Sequence, residues 1–197
     1  MEINSRDRGR TKTVAAKEIK HFVLALIVKE TKDGFRVMTQ TRVVLTPGYD
    51  PHNHMTQEGI GETLEPRKPI IDALHEGIQE ECGVVLSSIP YRIVGYKPVS
   101  HETGRGDATL FFRPFCYVQS IGEPQLWAGP AFVVVVGEEF KPDYSKGNGE
   151  ASDCTWWHPA KLLEELAVNP LKFMTLHVPA LRYLCEKLLA QGAEALA

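Results

Sequence analysis

The sequence predicts an α/β fold of the α+β kind, a mixed β-sheet sandwiched between helices. Three observations predict it. Apolar residues follow a strand-like pattern before residue 69, turn helical between Pro69 and Cys82, and become strand-like again afterwards. Two further helical patterns then close the chain. The order strands, helix, strands, helices gives a sheet something to bury on both of its faces.

Taken in order, residues 1–17 are mostly polar and without periodicity, which predicts a flexible N-terminal arm ahead of a single domain over 18–197. HFVLALIV (21–28), rich in β-branched and aromatic residues, predicts a buried strand. Asp33-Gly34 is a hairpin signal, and FRVMTQTRVV beyond it alternates apolar and polar residues. LTPGYDPHNH (45–54) is a Gly/Pro/Asn/Asp-rich loop. Ile71, Leu74, Ile78 and Cys82 form one helical stripe, with Pro66 and Pro69 upstream and Gly83 placed to end the helix. Strands are expected at 91–97, 108–118, 131–136 and 152–157. HPAKLLEELA and VPALRYLCEKLLA predict two helices, the second amphipathic through Leu181, Leu184, Cys185, Leu188 and Leu189.

Bulk properties narrow the function. The 197 residues are 43% hydrophobic and 24% charged, enough to bury a full core. A net charge of −3 gives no electrostatic footprint for nucleic acid or an anionic membrane. Cys82, Cys116, Cys154 and Cys185 make no CxxC pair, which argues against a zinc ribbon or disulfide scaffold. The first residues lack the apolar run of a signal peptide, and the longest apolar stretch, Ala131 to Val136, is too short to span a bilayer. The expected compartment is the cytoplasm.

The chemically informative segment is GIGETLEPRKPIIDALHEGIQEECGV, Gly59 to Val84. It gathers Glu62, Glu65, Glu76, Glu80 and Glu81 around one glycine-containing loop and one helix. At roughly 100° per residue, Glu76 and Glu80 lie about 40° apart on the helix wheel, with Glu81 about 100° beyond Glu80. Carboxylates converging at a loop–helix junction form the all-oxygen ligand set that Mg²⁺ or Mn²⁺ prefers. Glutamates on a helix face are also commonly a solvated surface, and residue types alone leave both readings open.

This segment resembles the Nudix box, G-x5-E-x7-R-E-U-x-E-E-x-G-U, where U is a bulky aliphatic residue. Gly59 and Glu65 match its opening; Ile78, Glu80, Glu81, Gly83 and Val84 match its end. Outside the box, the opening strand-hairpin and Trp157-His158-Pro159 with Leu163 resemble the family's flanking elements, so the likeness spans roughly residues 18–190. The resemblance implies a Nudix-type α/β/α sandwich. It also implies a Mg²⁺- or Mn²⁺-dependent hydrolase acting on the pyrophosphate of a nucleoside diphosphate linked to another moiety, with ADP-ribose or a nucleotide sugar preferred. Glu80, Glu81, Glu76 and Glu65 are then expected as metal ligands, and Glu76, Glu81 and Glu150 as catalytic groups. Gly59, Glu62, Arg105 and Arg113 are expected at the substrate. The expected partner is a small nucleotide, and a homodimer fits the family.

The box departs from the pattern in two places. Ten residues, not seven, separate Glu65 from the arginine position, and the R-E pair is Glu76-Gly77. Gly77 offers no carboxylate and weakens a helix interior by roughly 1 kcal/mol relative to alanine. A helix bulge that moves Glu76 into the vacated place is one rescue. A base from a later loop, Glu150 or Asp153, is the other. The alternative function is an impaired domain that binds a nucleotide or protein partner without hydrolysis. His52 and His54 form an HxH without a nearby companion ligand, Pro98 lies 15 residues after Gly83, and Trp127, Trp156 and Trp157 are candidate base-stacking partners or simply core.

Overall fold

The computed structural model describes residues 18–43, 54–96, 99–102, 108–120 and 126–197. The strands are β1 (Ile19–Thr31), β2 (Gly34–Arg42), β3 (Gln57–Glu58), β4 (Ile60–Thr63), β5 (Tyr91–Ile93), β6 (Val99–Glu102), β7 (Ala108–Phe111), β8 (Cys116–Gln119), β9 (Leu126–Val136) and β10 (Ala151–Trp157). The helices are α1 (Ile70–Cys82), α2 (Pro159–Val168) and α3 (Val178–Gln191). The expected N-terminal arm, most of the 45–54 loop with His52, and Pro98 and Arg105 lie outside the described residues.

A mixed sheet runs in the order β10-β2-β1-β9-β5. β1 and β9 are its parallel central pair, with Ala25 opposite Phe132 and Val28 opposite Val135. β1 also takes β2 and β4 as antiparallel neighbours along its other edge, β2 at Val28–Thr31 and β4 at Phe22–Ala25. The unbroken apolar run of β1 follows from burial on both faces. Leu24, Leu26 and Val28 point to one side, where Leu162, Leu166, Leu181 and Leu184 of α2 and α3 cover them. Val23, Ala25 and Ile27 point to the other, against Ile71, Leu74 and Ile78 of α1. The result is the α/β/α sandwich that the sequence predicts.

α1 buries the stripe foreseen for it, Ile71, Leu74, Ile78 and Cys82. It stops at Gly83, whose φ of 68° is left-handed and whose N–H donates to the Gln79 carbonyl at 2.9 Å. A buried network locks β2 to β3 and β10. The Trp157 indole N–H donates to Thr39 Oγ1 at 2.8 Å, Thr39 donates to Gln57 Oε1 at 2.6 Å, and Gln57 Nε2 donates to Thr41 Oγ1 at 2.6 Å.

Several expected boundaries move. The strand at 91–97 ends at Ile93 in a turn, and that at 108–118 splits into β7 and β8 around Phe112–Phe115, where Pro114 has no amide for a ladder. The run at 131–136 is the far end of the longer β9. β3, β4 and β6 are additional, and Gly59 sits between two short strands rather than in an open loop. Leu189, expected on the buried face of α3, is 49% exposed.

Candidate active site

At one end of the sheet a cleft of about 320 Å³ opens between β4, the C-terminal half of α1, the segment before β10 and the start of α3. Its polar lining is Glu58, Glu62, Glu80, Glu150, Arg42, Asn148 and His177, and Phe22, Trp127, Met174 and Leu176 form its apolar wall.

Backbone pairing brings these groups together. β4 is fixed by β1, with Glu62 opposite Val23. The last turn of α1 leaves carbonyls unpaired within the helix, and the 143–148 segment satisfies two of them: Asp143 N–H donates to Cys82 O and Asn148 N–H to Glu80 O. The Asn148 side chain then accepts from Glu150 N–H at 3.0 Å, and Val43 N–H donates to Glu150 O at 2.9 Å. Capping the helix end thus carries Glu150 to the cleft that Glu80 lines.

Four carboxylates on the lining face one guanidinium. Glu58 is 1% exposed and ion-paired to Arg42 at 3.3 Å; burial outweighs Arg42 and pushes its carboxyl up to about 7. Glu58 Oε2 is buried with no hydrogen-bond partner. Burial raises the Glu62 carboxyl, and the charge of Glu80 raises it further. Glu81 is buried behind the lining, where Gln40 Nε2 donates to it; burial, then the charges of Glu58 and Glu150, hold its carboxyl well above the usual range. His177 stacks on Phe22 with ring centroids 6.4 Å apart, and its Nδ1 has no hydrogen-bond partner. Burial, with Arg42 nearby, lowers its imidazole to about 3, so it is neutral.

The cleft therefore gathers Glu62, Glu80 and Glu150 from the residues singled out in the sequence, with Glu81 behind them. It does not gather the others. Glu76 and Glu65 both pair with Lys68 and are absent from the lining. α1 is an uninterrupted α-helix, without the bulge that would move Glu76. Gly59 is packed inside, where a Cβ would lie 3.1 Å from the Ala25 carbonyl oxygen. Arg113, Asp153 and His54 are exposed and apart from the lining. Trp127 lines the cleft; Trp156 and Trp157 do not. Sequence reasoning missed Arg42, Glu58, Asn148, Phe22 and His177. Only Glu58, directly before the box glycine, stood near a signal that could have drawn attention to it.

The four glutamates of the lining are suited in type to a hard divalent cation, and Glu58, paired with Arg42 through Oε1, leaves its buried Oε2 without a hydrogen-bond partner. Among the described residues, no three His, Cys, Asp or Glu side chains are gathered tightly enough to hold a metal ion as they stand. In residue type the lining fits such a cation, which Glu62, Glu80 and Glu150 would hold.

No protein-family model matches the chain, and no curated protein matches it in sequence. Solved structures do match. The Nudix domain of Shewanella oneidensis NrtR, complexed with ADP ribose, aligns with a TM-score of 0.59 at 13% identity, over 88% of this chain and 91% of that one. RenU, a Nudix hydrolase from M. smegmatis, gives 0.54 at 14%, over 87% and 86%. The MutT protein of Methanosarcina mazei gives 0.53 at 14%, over 85% and 93%. At these identities the likeness is one of architecture, and with the box residues it agrees on one conclusion: the chain has the Nudix fold.

Proposed function

We propose that the chain is a Mg²⁺- or Mn²⁺-dependent hydrolase cleaving the pyrophosphate of a nucleoside diphosphate linked to another moiety, by water attack on phosphorus. The observation that carries this reading is the meeting of Glu62, Glu80 and Glu150 in a cleft whose other wall holds Phe22 and Trp127. A pyrophosphate entering a cleft with four carboxylates meets repulsion unless a cation lies between them. Held by Glu80 with Glu62 and Glu81, a divalent cation would neutralise the phosphates and make bound water more acidic. Glu150, on the same lining, would take the proton from that water, and Arg42, beside its Glu58 pair, would meet a phosphate oxygen. Phe22 and Trp127 offer an aromatic wall to a nucleobase. The ADP ribose bound by the NrtR domain favours an ADP-ribose type of substrate.

The test is a panel of ADP-ribose, NADH, nucleotide sugars, diadenosine polyphosphates and nucleoside triphosphates, each incubated with Mg²⁺ or Mn²⁺ and with EDTA. Release of a nucleoside monophosphate that EDTA abolishes supports the reading. A second reading, binding without hydrolysis, draws on Gly77 and on the open arrangement of the carboxylates. Tight binding of a panel member by folded protein, with no product under any metal, would establish it.

A further inference from the structure

Gly77 is buried on the face of α1 turned toward β4. A Cβ built on it would lie 2.8 Å from the Cβ of Glu62, closer than real Cβ contacts allow, and 3.7 Å from Glu62 Oε2. The Glu62 side chain therefore lies over the spot where a side chain at position 77 would begin, and it lines the same cleft as Glu80 and Glu150. Glu58, buried on that cleft and paired with Arg42 through Oε1, keeps an Oε2 with no hydrogen-bond partner, a second carboxylate oxygen whose demand the described residues do not meet.

We propose that Glu62, projecting from β4 across Gly77, supplies the cation-binding carboxylate that α1 lacks at position 77, and that glycine stands there because any side chain would displace it. This assignment rests on the hydrolase reading. Gly77 is the clearance that lets a strand residue do a helix residue's work. It predicts that Gly77→Glu is harmful, where a decayed helix would be repaired by it.

The probe is Mn²⁺ alone, titrated into the full chain and read by the loss of the free-ion EPR signal, so that no turnover is needed. Glu62→Gln, which removes charge and keeps shape, should weaken Mn²⁺ binding by about tenfold or more, since even outer-shell partners are worth that much. Gly77→Ala should weaken it too. The swap Glu62→Gly with Gly77→Glu removes the Cβ conflict, returns a carboxylate to the same spot and should recover most of the affinity. Unchanged Mn²⁺ affinity in Glu62→Gln overturns the inference, as does a loss in Glu76→Gln with none in Glu62→Gln. If the unaltered chain binds no Mn²⁺, the hydrolase reading fails and takes this inference with it. Should Gly77→Ala not fold, Glu62→Gln alone still decides.

Discussion

His177 makes acid stability a quantitative test of how the cleft is built. The ring is 3% exposed, stacked on Phe22, with Nδ1 unpartnered. Burial and Arg42 lower its imidazole from 6.5 to about 3. Below 6.5 the unfolded chain takes up a proton here that the folded chain refuses until about 3, so stability falls as the pH falls through that window. At about 1.4 kcal/mol per pH unit, the whole window amounts to about 4–5 kcal/mol, and the accessible stretch from pH 6 to pH 4 to about 2–3 kcal/mol. The perturbation is His177→Leu, close in volume and unable to titrate. Urea unfolding of both proteins at half-unit steps between pH 4 and 7.5 gives stability against pH. The variant loses about 1 kcal/mol at pH 7.5 through the missing ring stack. Its curve between pH 6 and 4 should be shallower by about 1.4 kcal/mol per pH unit. Two parallel curves would mean instead that His177 takes its proton equally readily in the folded and unfolded chains.

Further outcomes follow from other parts of the site. Thr39→Val leaves the half-buried Trp157 indole N–H and the buried Gln57 Oε1 without their shared partner, and should cost about 1–3 kcal/mol in denaturant unfolding. Glu81 keeps its proton to higher pH when folded than unfolded, so it subtracts stability as pH rises above 4.5; Glu81→Gln should flatten that decline in metal-free melts. Gly83→Ala forces a left-handed φ of 68° on a side chain whose Cβ would sit 2.4 Å from the Asp143 carbonyl oxygen. It should cost about 1–2 kcal/mol for the backbone alone and lower turnover as well, because the displaced segment leads to Glu150. Thermal melts and product release, measured on the same preparation, check both halves of that expectation.

The stripe of α1, its stop at Gly83 and the doubly buried β1 were legible in the sequence because each is a local pattern whose period or turn chemistry has few solutions. β3 and β4 were not, being two and four residues long and bracketing a glycine that reads as loop. In the site, Glu80 and Glu150 were found through motif position and loop acidity, and helix capping joins them. Arg42, Phe22 and His177 come from three different elements, and nothing in their own sequence neighbourhoods marks them. Glu76 shows the opposite failure. It is adjacent to the right helix position, but Lys68, within the lengthened loop, pairs with it outside the cleft lining. Gly77 looked like a lost ligand because a sequence records the missing side chain and not the Glu62 carboxylate lying over it.

In the proposed reaction the Glu62–Glu80–Glu150 cleft directs water onto a pyrophosphate phosphorus with the help of a divalent cation. The most direct measurement is mass spectrometry of the products formed in ¹⁸O-labelled water from ADP-ribose and the other panel members, with Mn²⁺ and with EDTA, by the unaltered chain and by Glu80→Gln. The expected result is one labelled oxygen on a phosphate product, no product with EDTA and at least about a hundredfold less from Glu80→Gln. Folded protein that yields no product from any panel member, or equal product with EDTA or from Glu80→Gln, would contradict it.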